Sequence, residues 1–209
     1  EKAIKLARLA AECGADAMLQ VTPYYNKPTQ QGLFEHFMAI AEAVPLPMIL
    51  YNVPSRTAVN MLPETTLRLA AADSIVGIKE SSGDLSQARM IMDARPANFT
   101  LYCGEDAMNL EMYMAGADGC ISVTANVAPE LVSKVWDLFS AEKVNEAEAL
   151  QSHLQKLNSA LFMVTNPIPV KTALSIMKKC REEFRLPLTP MDDNKKRELE
   201  SVLSEFKMI

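Results

Sequence analysis

The chain has 209 residues, 49% hydrophobic and 22% charged, with a formal net charge of −5. That is ordinary globular composition and excludes disordered, collagen-like and disulfide-scaffold classes. The mild acidic excess argues against a nucleic-acid partner, and no apolar run approaches the ~18–20 residues that cross a bilayer, so no membrane partner is expected.

From Ala3 the apolar positions Ile4, Leu6, Ala7, Leu9 and Ala10 recur at helical spacing and stop at Cys13-Gly14, where Gly14 fits the residue after a helix end. A buried strand over 17–21 follows, closed by Thr22-Pro23. Further strands are predicted at 48–51, 75–79, 99–103 and 119–123, with helices between them at 30–43, 63–72, 85–94 and 106–115. The tripeptide Gly-Ala-Asp occurs at 14–16 and again at 116–118, each time between a helix end and a strand start, and reads as one turn used twice. Beyond Pro129 strands cease, and helices are expected at 129–139, 142–164, 169–184 and 193–207. The reading divides the chain into 1–141, a βα-repeat domain, and 142–209, an appended helical domain.

Short apolar strands alternating with helices imply an α/β fold with a parallel sheet. An open doubly wound sheet would ordinarily carry a glycine fingerprint, and none exists among the seven glycines. A (β/α)8 TIM barrel needs eight strands, against five visible here; at about 25 residues per unit the shortfall is roughly 75 residues. The chain also opens inside a helical pattern, without methionine. Together these features lead us to expect an incomplete barrel of about five βα units, lacking its N-terminal portion, with two open sheet edges.

In such a barrel, chemistry sits at the C-terminal ends of the strands. Lys79 ends the apolar run Ile75-Val76-Gly77-Ile78, where a low-dielectric rim favours the neutral, nucleophilic amine. Pairing with Glu80, or extension of the ammonium into water, is the alternative. Tyr51 ends the preceding strand and could move protons for a carbonyl adduct on Lys79, or simply pack as a core tyrosine. Arg56 lies in a proline-braced loop on the same rim and suits a carboxylate, unless it is only an exposed loop arginine. Tyr24 and Tyr25, between Pro23 and Pro28, could meet substrate or a neighbouring subunit, or pack. The four cysteines, Cys13, Cys103, Cys120 and Cys180, form no CxxC pair and are expected to be reduced, buried thiols of a cytoplasmic protein. His36 and His153 are isolated, offer no metal site and read as helix-surface residues; Lys195, Lys196 and Arg197 read as a solvated helix face.

The segments VTPYYNKP (21–28), LYNVPSRT (50–57), GIKESSGD (77–84), GCISVTANV (119–127) and NPIPVKTAL (166–174) closely resemble the dihydrodipicolinate synthase family, within the pyruvate-dependent class I aldolases. The resemblance runs along the whole chain. It implies a (β/α)8 barrel with a C-terminal helical domain in a homo-oligomer, dimer or tetramer. It further implies condensation of pyruvate with L-aspartate 4-semialdehyde to 4-hydroxy-tetrahydrodipicolinate, on the route to diaminopimelate and lysine. Lys79 is then similar to the Schiff-base lysine and Tyr51 to the proton-relay tyrosine. Tyr25 matches the tyrosine that reaches into the neighbour's site, and Arg56 the arginine that holds the aldehyde's carboxylate. Gly104 and Ile121 match positions lining the pyruvate pocket. The covalent imine on Lys79 replaces any metal or organic cofactor.

The family's relay threonine belongs to a Gly-Thr-Thr-Gly-Glu motif that this sequence does not contain. At positions similar to an allosteric lysine site stand Tyr24 and Lys2, the latter where lysine-inhibited members carry an acid, so weak feedback sensitivity is expected. Two other functions stay open: a related sugar-acid lyase such as N-acetylneuraminate lyase, against which Arg56 argues, and a truncated, inactive relative acting only as an oligomer-forming subunit.

Overall fold

Five apolar runs form a single parallel sheet in the computed structural model, which describes residues 1–209. The strands are β1 (Met18–Val21), β2 (Met48–Asn52), β3 (Ile75–Glu80), β4 (Thr100–Cys103) and β5 (Gly119–Cys120). They pair in sequence order, each with the next. Sequential order distinguishes this sheet from a doubly wound one. Every crossover advances in the same direction, and right-handed crossovers then put all the helices on one face. Those helices are α1 (Lys2–Glu12), α2 (Gln30–Ala43), α3 (Pro54–Thr57), α4 (Pro63–Leu69), α5 (Leu85–Ala94) and α6 (Asn109–Met114). Successive helices pack as neighbours, α1 on α2, α2 on α4, α4 on α5 and α5 on α6.

The core of this unit is made by strand residues meeting helix residues. Met48, Leu50, Ile78 and Leu101 of the sheet and Leu33, Phe37, Leu69 and Ile91 of the helices are completely shielded from solvent. Each contributes about 1.5–3 kcal/mol by leaving water. The starts of α2 and α5 are fixed by side chains: Thr29 accepts from Gly32 N at 3.1 Å ahead of α2, and Asp84 accepts from Ser86 N at 2.9 Å ahead of α5.

The Gly-Ala-Asp turn is used twice, as its repetition implies. Gly14 N donates to Ala11 O and Ala15 N to Ala10 O; Gly116 N donates to Tyr113 O and Ala117 N to Met112 O. Both glycines are left-handed, with φ of +87° and +104°, the geometry of a Schellman helix stop.

Contacts divide the chain into two compact units, Glu1–Ile121 and Ser122–Ile209. The second contains α7 (Pro129–Ser140), α8 (Val144–Ala160), α9 (Ile168–Ile176) and α10 (Asp193–Glu205). Its core joins Val135 of α7, Leu154 and Leu157 of α8, Ala173 of α9 and Leu199 and Leu203 of α10. Lys156 bonds Glu205 at 2.6 Å between α8 and α10. No helix is long and apolar enough to cross a membrane.

Several expected boundaries move for identifiable reasons. The helix expected over 169–184 stops at Ile176 because Lys178 turns left-handed (φ +59°), with Lys178 N on Ser175 O and Lys179 N on Leu174 O. That is the same stop as at Gly14, made without glycine. Glu142 (φ +60°) does likewise, so the helix expected from 142 begins at Val144. The helix expected at 63–72 ends at Leu69, and that at 106–115 begins as a 3-10 turn over Asp106–Met108. The strand expected over 119–123 ends at Cys120, since β4 offers no ladder beyond Cys103; one further bond, Ile121 N to Cys103 O, ends the pairing. The segment around Arg56, expected to be a loop, is the helical turn α3. Two of the four thiols, Cys13 and Cys180, are exposed rather than buried: Cys13 directly follows α1, and Cys180 lies in the irregular segment after α9. His36 is half-buried against Phe37 rather than on the surface, and Lys196 bonds Glu182 at 2.6 Å rather than standing in water.

Candidate active site

Parallel pairing aligns the strand ends. Tyr51 of β2 is the register partner of Lys79 of β3, which is in turn the partner of Tyr102 of β4. Residues paired in register leave the same face of a sheet, so Tyr51 and Lys79 stand side by side. The Lys79 Nζ lies 4.5 Å from the centroid of the Tyr51 ring, within cation–π range. Lys79 does not pair with Glu80, which leaves the opposite face and bonds elsewhere.

Burial holds the Lys79 amine below the ordinary lysine range. The Asp106 carboxylate acts in the opposite direction, and the Arg56 guanidinium acts with burial. The net result makes the neutral amine, the form that attacks a carbonyl, easier to reach than in a solvated lysine. Burial also pushes the Cys103 thiol up to about 12, so that it stays protonated and inert beside the lysine. Cys120 is raised by burial too, although its hydrogen bond with the buried Tyr113 hydroxyl opposes this. Glu105 is raised by burial and by Asp106.

Gly104 is required by space. A methyl group there would lie 1.8 Å from Ser81 Oγ, 2.7 Å from Lys79 Cε and 3.0 Å from Lys79 Cγ. The Ser81 hydroxyl is buried without a hydrogen-bond partner. Ile121, half-buried, follows the end of β5. Arg56 is exposed in the last turn of α3 and its charge reaches Lys79. Buried Thr22 donates to Thr57 Oγ1 at 3.2 Å and so ties the end of β1 to α3.

Lys79, Tyr51, Gly104, Ile121 and Arg56 therefore gather at the C-terminal ends of β2 to β5. Tyr25 does not join them: it is 90% exposed in a left-handed conformation (φ +70°). Lys2 and Tyr24 line a separate groove of about 620 Å³ along α1 and β1. Asp106 and Tyr113 were not singled out by sequence. The position of Asp106 just past β4 is a signal for the first; Tyr113, inside α6, carries none.

The sequence profile of the Dihydrodipicolinate synthetase family matches residues 1–206. The chain belongs to this family. The 4-hydroxy-tetrahydrodipicolinate synthase of Geotalea daltonii is 49% identical over 208 residues, spanning 100% of this chain and 72% of that protein. The crystal structure of dihydrodipicolinate synthase from Thermotoga maritima superposes with a TM-score of 0.96 at 40% identity, over 99% of this chain and 71% of that one. That of the chloride-inhibited dihydrodipicolinate synthase from Acinetobacter baumannii, complexed with pyruvate, gives 0.94 at 45% identity, over 99% and 71%. The sheet and its helices are thus the dihydrodipicolinate synthase version of the (β/α)8 class, represented here by five strands.

Proposed function

We propose that this chain is a 4-hydroxy-tetrahydrodipicolinate synthase, condensing pyruvate with L-aspartate 4-semialdehyde through an imine on Lys79. The observation that carries this reading is a half-buried lysine amine, held towards its neutral form, with a tyrosine ring 4.5 Å away. Relatives at 49% identity bear the same activity in their names.

Lys79 adds to the ketone of pyruvate, and the carbinolamine loses water to give an imine. The protonated imine withdraws electrons, so the methyl group releases a proton and becomes an enamine carbon. That carbon attacks the aldehyde, whose substrate carboxylate is held by Arg56. The substrate amine then attacks the imine carbon, closes the ring and expels Lys79. Tyr51 passes protons during imine formation and cyclisation. Gly104 and Ile121 border the pyruvate. The imine serves as electron sink, so the chemistry needs no metal or organic cofactor.

The outward exposure of Tyr25 supports a role in the site of a second copy, within a homodimer or homotetramer. Four free thiols support a cytoplasmic location. Lys2 and Tyr24 share one groove, where the Lys2 ammonium would repel the ammonium of free lysine, so feedback inhibition is weak.

The test is incubation with pyruvate, borohydride reduction and mass-spectrometric mapping. A reduced pyruvyl group on Lys79, absent from Lys79→Ala, is expected. No adduct on a folded sample, or an adduct at another lysine, refutes the reading. Offering aspartate semialdehyde beside sugar aldehydes then separates a synthase from a sugar-acid lyase.

A further inference from the structure

A buried acid that the mechanism does not use stands directly behind the site. Glu80 is 3% exposed and no cation pairs with it. Its carboxylate instead collects neutral N–H donors. Ser82 N reaches Oε1 at 2.6 Å, Asn52 Nδ2 reaches Oε1 at 3.3 Å and Oε2 at 3.0 Å, and Gln87 Nε2 reaches Oε2 at 3.1 Å. Burial pushes the carboxyl above its ordinary range, and these donors offset only part of that rise.

The donors come from different elements. Asn52 is the last residue of β2, fully buried, and the register partner of Glu80. Its Oδ1 accepts from Met61 N at 3.0 Å and its Nδ2 also donates to Asn60 Oδ1 at 2.7 Å. Asn60 Nδ2 donates to Gln87 Oε1 at 2.8 Å, which brings in α5. The pair Asn52–Glu80 directly follows the pair Tyr51–Lys79 in the ladder, on the opposite face. It closes the strand ends where a parallel ladder would otherwise fray.

We propose that Glu80 is a positioning residue for the imine chemistry, pinning the ends of β2 and β3 behind the sheet so that Tyr51 and Lys79 stay side by side in front of it. A buried acid without a cation is a costly choice for packing alone. A carboxylate is the one side chain of this size whose two oxygens both accept and neither donates. In Glu80→Gln the amide nitrogen would face another N–H, and one side of the bracket would open. This inference rests on the imine reading above.

The test follows the initial rate of pyruvate trapping on Lys79 against pH, alongside the unfolding midpoint, in wild type, Glu80→Gln and Asn60→Ala. Slight misplacement of a reacting group is costly, so folded Glu80→Gln should trap about tenfold more slowly at saturating pyruvate. Its half-saturation should change little. Its rate curve should also move to higher pH, because a Lys79 freed from its neighbours becomes better solvated and regains its proton. The groups facing Lys79, namely Arg56, Tyr51, Tyr102, Cys103, Glu105, Asp106 and Cys120, are untouched by the substitution. If Glu80→Gln does not fold, Asn60→Ala, which breaks the bracket at its rim, should show the same signature at smaller size. An unchanged rate and pH curve in a folded variant overturns the inference, even if the unfolding midpoint falls. A wild-type chain that traps nothing overturns the imine reading first, and this inference with it.

Discussion

Tyr51 and Lys79 are held together by backbone register rather than by a bond between their side chains. The two Cα positions are paired across β2 and β3, and the Lys79 Nζ rests 4.5 Å from the Tyr51 ring centroid. The ring therefore plays two parts, as a surface against which the amine rests and as the carrier of a hydroxyl, and these parts can be separated.

Tyr51→Phe keeps the ring and removes the hydroxyl. Proton transfer by a positioned side chain is worth about 10²–10⁴ in rate, so imine trapping should slow about a hundredfold with an unchanged unfolding midpoint. Rapid-quench trapping with labelled pyruvate measures it.

The charges around Lys79 make opposite predictions for its pH dependence. Trapping should rise with pH and reach its plateau below the ordinary lysine value of 10.5, because burial favours the neutral amine. Arg56 acts with burial, so Arg56→Ala should move the curve to higher pH. Asp106 acts against it, so Asp106→Asn should move the curve to lower pH. Both shifts are measured from pyruvate-trapping rates, which do not require the second substrate.

Gly104→Ala tests the close packing of the pocket floor. The new methyl would meet Ser81 Oγ at 1.8 Å and Lys79 Cε at 2.7 Å. Overpacking of this kind costs about 1–3 kcal/mol, and relief requires Lys79 to move. Urea unfolding should show the loss, and pyruvate trapping should fall in the protein that remains folded.

Asp118, in the second Gly-Ala-Asp turn, binds Arg95 and accepts from Leu101 N at 2.8 Å. Burial works against its ionisation, yet Arg95 and the Leu101 N–H together hold its carboxyl below the ordinary value of 3.8. A lowered carboxyl contributes stability that is present above that value and lost as pH falls through the folded one. The Asp118 side chain is 36% exposed, so solvent screens the pair and Asp118→Asn should cost about 0.5–1 kcal/mol at neutral pH, and the gap to wild type should close as pH drops below 3.8.

What could be read from sequence divides along physical lines. Lys79 is visible as the charge ending the apolar run Ile75–Ile78, although that position alone also fits a paired or solvated lysine and it is the motif GIKESSGD that marks it as a nucleophile; the repeated Gly-Ala-Asp is visible because glycine marks a left-handed turn. The stops at Glu142 and Lys178 stay hidden, since they adopt the same turn with residues that seldom do. The end of β5 is invisible locally, being decided by where β4 runs out. The bracket around Glu80 is hidden too: its members lie up to 35 positions apart, from Asn52 to Gln87, and meet only once the strands pair. The position of Tyr25 outside the Lys79 cluster follows from two left-handed residues, Tyr25 and Lys27, in a loop that carries no glycine.

Alternation along β3 gives the chain a parity. Even a single residue inserted between Gly77 and Lys79, where β3 pairs regularly with β2, would exchange the two faces downstream. The nucleophile would turn toward the helices, and the acid toward the pocket. Length changes in the connections before and after the strand carry no such penalty. The family's freedom to vary should therefore lie in its turns, while within this strand the count of residues is as constrained as their identity.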